Sequence, residues 1–110
     1  MNINIEAADQ VTMIKLVGEI DGKTAPEVQQ QISAHIRPGS KILLDMSQVN
    51  YMSSAGLRML LSTYRQISGS DGRIVLVGLS EEIEDTMSAT GFLTFFSTQA
   101  TVDAGLAVLE

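Results

Sequence analysis

Two adjacent serines, Ser53 and Ser54, stand in the segment Tyr51-Met52-Ser53-Ser54-Ala55-Gly56-Leu57. An apolar run ending in Asp45 precedes the segment, and an amphipathic stretch follows it. A serine at this junction has two uses. Its hydroxyl can cap the coming helix by accepting from a first-turn N–H. It can also carry a phosphate, because the unpaired amides of a helix start tolerate an anion. A phosphate on Ser54 would add nearly two negative charges to an exposed helix edge and repel a docked protein. Ala55 and Gly56 would keep that edge low enough for another backbone to approach. Glycine early in a helix costs up to ~1 kcal/mol relative to alanine, so Gly56 needs a reason beyond helix propensity.

Little else in the chain offers chemistry. There is no cysteine and one histidine, so thiolate chemistry is absent and a Ser-His-Asp triad is poorly supported. Glu19, Asp21 and Asp45 fall at the ends of predicted strands. Gathered at one sheet edge they would orient the serine or bind Mg²⁺; apart, they are loop-end solvation. His35 is placed near the end of the first helix, where a cation is mildly favoured. Phe92, Phe95 and Phe96 read as core packing. Gly69-Ser70-Asp71-Gly72 reads as a turn, without the lysine of a phosphate-binding loop. Glu81, Glu82, Glu84 and Asp85 suit the positive end of a helix.

The elements that must position the serines follow from periodicity. Ile3 and Ile5 alternate with polar residues, Asp9-Gln10 turns the chain, and Val11 to Asp21 forms a second strand, giving an antiparallel hairpin. Thr24, Pro26 and Glu27 form a capping-box pattern ahead of Val28, Ile32 and Ile36, and Pro38-Gly39 stops that helix. Lys41 to Met46 is a buried strand. Leu57, Leu60, Leu61, Tyr64 and Ile67 lie on one face of a helix running to about Ser68. Arg73 to Val77 is a strand, Ser80 caps a helix ended by Gly91, Leu93 to Phe96 is a short strand, and a last helix spans Thr98 to Leu109. The alternation predicts an α/β fold. Its mixed sheet of four to five strands has an opening antiparallel hairpin and is otherwise mostly parallel, under about four helices. One domain over residues 1–110 is expected from the length.

The formal net charge is −6, and no two of the seven basic residues are adjacent. That charge pattern argues against nucleic-acid binding. No apolar run approaches the ~20 residues of a membrane span. The N-terminus lacks the basic and apolar regions of a signal peptide, so no membrane association and a cytoplasmic location are the expectation.

Three segments give the chain a family likeness: Leu16-Val17-Gly18-Glu19-Ile20-Asp21 with Thr24-Ala25-Pro26-Glu27; Ile42-Leu43-Leu44-Asp45-Met46-Ser47 with Val49 and Tyr51-Met52; and Ser53-Ser54-Ala55-Gly56-Leu57. In that order and spacing the chain resembles the STAS domain, specifically the stand-alone bacterial anti-sigma factor antagonists. The resemblance implies a non-enzymatic switch without cofactor or metal, acting as a monomer or weak dimer. Its partners would be a serine-protein kinase that doubles as the anti-sigma factor, and a metal-dependent serine phosphatase. Ser54 would be the phosphoacceptor, with Ser53 a second candidate because it stands where many members have Asp. The implied partner surface comprises Asp21, Thr24, Ser53, Ala55, Gly56, Arg58 and Met59. Two other readings are weighed against it. One is a STAS subunit of a transport or stress-signalling assembly that does not switch. The other is a phosphoacceptor Asp45 like that of a response-regulator receiver. The receiver chemistry needs an early acidic pair and a late lysine, and Lys41 is the last lysine of this chain.

Overall fold

The computed structural model describes residues 1–110. Five strands form one sheet in the order β1 (Asn2–Ala8), β2 (Val11–Ile20), β3 (Lys41–Met52), β4 (Arg73–Val77) and β5 (Ser97–Gln99). β1 and β2 pair antiparallel and every later pair is parallel. The helices are α1 (Ala25–Ser33), α2 (Ser54–Gly69), α3 (Glu81–Ala89) and α4 (Val102–Leu109). Each parallel crossover adds its strand on the same side of the last one. Right-handed connections of that kind place α1, α2 and α3 on one face of the sheet. There Val28, Ile32, Leu57, Leu60, Ile67, Ile83 and Met87 pack on Ile14, Leu16, Ile42, Leu44 and Leu76. No strand follows α4, which covers the opposite face through Leu109 against Val11, Leu43, Val75 and Val77.

The hairpin turn is tight. Ala8 pairs with Val11, and the two residues between them both have positive φ, 50° at Asp9 and 72° at Gln10. Such turns match the twist of the strands but strain a side chain that lacks the local hydrogen bonds of Asn or Asp. Gln10→Gly is therefore expected to raise stability by about 0.5–1 kcal/mol. A urea midpoint that falls instead would contradict the left-handed geometry of this turn.

Four boundaries differ from those expected. β3 runs on to Met52 rather than ending at Met46, because β2 is long enough to pair with it, Val17 with Gln48 and Ile20 with Met52, across two register shifts. α1 ends at Ser33, before Ile36. The amides of His35 and Ile36 fall back to i−3 carbonyls as the chain approaches Pro38, so His35 lies in the turn after the helix. Ile36 still packs against the core. Leu93 to Phe96 does not form a strand: Phe92–Phe95 is a 3₁₀ turn, and Phe92, Leu93 and Phe96 pack against the core. The strand follows at Ser97, so α4 begins at Val102 with Thr101 as its cap.

Candidate functional site

α2 starts where β3 ends. Ser53 is extended, with φ −79° and ψ 175°, and its Oγ accepts from the Gly56 amide at 3.4 Å. The Ser53 amide donates to the Ile20 carbonyl at 2.8 Å, so the helix start is tied to the end of β2. Capping thus falls to Ser53. Ser54 is the first helical residue, is exposed, and its hydroxyl enters none of the side-chain hydrogen bonds of the protein. The two serines therefore differ in their surroundings: Ser53 holds the helix start and Ser54 faces solvent.

The turn before α1 lies beside them, next to Ile20. The Asp21 carboxylate accepts from the amides of Lys23 at 2.9 Å and Thr24 at 3.1 Å. The Thr24 hydroxyl donates to the Glu19 carbonyl at 2.8 Å, and its oxygen accepts from the Asp21 amide at 2.9 Å. This network replaces the expected capping box. Thr24 has helical φ and ψ, and its side chain makes no cap to α1. Asp21 does the ordering instead. The Thr24 and Lys23 amides, with help from the Thr24 hydroxyl and the Lys23 charge, hold its carboxyl below the ordinary 3.8. A depressed carboxyl pKa contributes stability that is present above the unfolded value and lost as pH falls through the folded one. Asp21→Asn is expected to flatten the acid limb of the stability profile, narrowing the difference from wild type between pH 7 and the acid end. Parallel profiles for the two proteins would refute this.

The remaining candidates separate. Ala55 is half-buried and Arg58 is exposed, while Gly56 and Met59 are buried. Gly56 does not shape the outer edge as expected. A Cβ there would lie 2.5 Å from Met52 Cγ and 2.9 Å from Ile20 Cγ2, so the glycine answers to the strand ends beneath it. Met59 sits under the surface and accepts from the buried Thr63 hydroxyl at 3.5 Å. Asp45 does not join Glu19 and Asp21. It lies mid-way along β3, accepts from the Ser47 amide at 3.0 Å, and lines a trough on the α4 face with Val102. No group of three or more histidine, aspartate or glutamate side chains is arranged to hold a metal ion.

A shallow groove of about 270 Å³ runs between the starts of α1 and α2, adjoining Ser54. Gly22, Ala25, Pro26 and Gln29 form one wall, and Ala55, Arg58, Met59 and Ser62 the other. Gln29 Nε2 donates to Ser62 Oγ across it at 3.0 Å, and Ser33 Oγ to Gln66 Oε1 at 3.0 Å. Pro26, Gln29 and Ser62 were not anticipated. Each is an unremarkable helix-surface residue until two helices 33 positions apart in sequence are laid side by side.

The STAS domain model matches residues 2–105 of this chain. The chain belongs to the STAS domain family. Among its relatives, an anti-sigma-B factor antagonist of Listeria monocytogenes is 32% identical over 95 residues, 83% of each protein. One of the same name from Staphylococcus aureus is 30% identical over 94 residues, 83% of this chain and 87% of that protein. The crystal structure of an anti-sigma factor antagonist from Mycobacterium paratuberculosis superposes with a TM-score of 0.87 at 28% identity, covering 98% of this chain and 92% of that one. In this STAS domain no helix is long and apolar enough to cross a membrane.

Proposed function

We propose that this protein is an anti-sigma factor antagonist that works as a reversible binding switch and catalyses nothing itself. Unmodified, it binds a serine kinase that is also the anti-sigma factor and so frees the sigma factor. The kinase then transfers the γ-phosphoryl group of ATP to Ser54. An O–P bond forms at Oγ as the bond to the β-phosphate bridging oxygen breaks, ADP leaves, and the hydroxyl proton passes to the surrounding base or solvent. The added charge ends the binding. A metal-dependent phosphatase resets the switch by hydrolysing the ester.

The observation that carries this reading is the division of labour between the serines. Ser54 is exposed with its hydroxyl free, while Ser53 is engaged as the cap. A capping hydroxyl is committed to the helix and is a poorer acceptor than a free one. The names of the relatives support the anti-sigma part of the reading. The test captures partners from a lysate of the source organism with unmodified protein, incubates the captured kinase with the protein and ATP, and maps the phosphate by mass spectrometry. Phosphate on Ser54 alone is the expected result. Phosphate on Ser53, or none in the presence of an active captured kinase, would overturn the assignment. A complex that is indifferent to every change at Ser54 would point to a non-switching STAS subunit instead.

A further inference from the structure

Arg58 stands one helical turn after Ser54 on α2, and both are exposed. Side chains at i and i+4 of a helix lie about 5–6 Å apart at Cβ, and an acid on the N-terminal side of a base is the favoured order. The Arg58 guanidinium is uncommitted. Arg37 and Arg73 are tied to backbone carbonyls, whereas Arg58 takes part in none of the side-chain hydrogen bonds. It is also the one charged residue lining the α1–α2 groove. Asp21 and Lys23 flank Gly22 of that lining in the turn before α1, and the Asp21 carboxylate is already occupied by two backbone amides.

We infer that a phosphate on Ser54 is held by Arg58 in an intrahelical ion pair, which takes the groove's cation away from any docked partner. The inference rests on the reading of Ser54 as the phosphoacceptor. A phosphomonoester brings about −1.5 to −2 charges at pH 7 and three acceptor oxygens, and a guanidinium engages such oxygens two at a time. Modification therefore changes this edge twice. It adds an anion, and it neutralises the cation that a carboxylate on a partner would have used. The groove mouth goes from one positive charge to about one negative.

The test places phosphoserine at position 54 by genetic encoding, so no kinase is needed, and follows its second ionisation by phosphorus NMR. The midpoint in the otherwise wild-type protein is expected about 0.3–0.7 pH units below that in Arg58→Gln, the scale of an exposed ion pair. Arg58→Lys should recover part of the shift, and the gap should narrow at ~1 M salt, where screening is strong. Lys23→Gln, which removes the neighbouring cation, should leave the midpoint in place. Equal midpoints in wild type and Arg58→Gln, with both proteins folded by their amide spectra, would overturn the inference. So would a Lys23→Gln effect as large as that of Arg58→Gln. The switch itself is judged separately, by whether the phosphoprotein still captures the kinase that the unmodified protein captures.

Discussion

Carrying one phosphate on Ser54, the protein is expected to bind its partner kinase about a hundredfold more weakly than the unmodified form, while Ser54→Ala stays within about threefold of wild type. The asymmetry follows from the surface. The Ser54 hydroxyl has no partner inside the protein, so its removal leaves no orphaned group and disturbs no neighbour. The phosphate brings close to two charges to the rim of a groove whose lining holds a single charged residue. Even when paired with Arg58, the phosphate leaves this edge with about one negative charge. An uncompensated charge at an interface costs several kcal/mol, and about 2.7 kcal/mol is already a hundredfold. Ser54→Asp carries one charge on a shorter arm and should fall between the two. Calorimetric titration against the captured kinase measures all three, and a phosphoprotein that binds as tightly as unmodified protein would end the switch reading. The loss must also come from the surface. An anion at the first position of α2 favours the helix electrostatically, so the melting temperature of the phosphoprotein should not fall. A drop of several degrees would assign the lost binding to unfolding instead.

The parts of the fold that were legible in the sequence are those written in local periodicity. Leu57, Leu60 and Ile67 are buried on the face that their spacing assigned, and Ser80 accepts from the Ile83 amide as the cap of α3. Gly91 ends α3 in a left-handed conformation, with φ 81°. Features set by a distant partner were not legible. Ser47, Gln48 and Asn50 look like loop residues and are exposed, yet they belong to β3 because β2 pairs alongside them. Thr24 carried a capping pattern, but the carbonyl of Glu19 and the amide of Asp21 claimed its hydroxyl before the helix could. At the site, Ser54 was legible because a helix start is local. The groove beside it was not, because it exists only where α1 meets α2. Asp45 was misplaced for a related reason: with β3 taken as ending at Met46, an acid in mid-strand passed for one at the sheet edge.

Gly56→Ala is expected to cost about 1–2 kcal/mol and Gly56→Val about 3 kcal/mol, against a favourable helix propensity of up to ~1 kcal/mol for leaving glycine. Steric contact decides the sign. The added Cβ would meet Met52 Cγ at 2.5 Å, Ile20 Cγ2 at 2.9 Å and the Ile20 carbonyl oxygen at 3.1 Å. Met52 can move a little, but the Ile20 carbonyl cannot move freely, because it receives the Ser53 amide that ties α2 to β2. Relief must come from lifting the first turn of α2, which carries both serines. Urea denaturation measures the cost, and the same variants separate two explanations for this glycine. Were Gly56 present to let a partner's backbone approach, Gly56→Ala would fold as stably as wild type and fail only in binding. Because the glycine is buried against the strand ends, the stability loss should come first, and binding should weaken only as far as the helix start is displaced. A Gly56→Ala protein with an unchanged urea midpoint would transfer the residue from the fold to the interface.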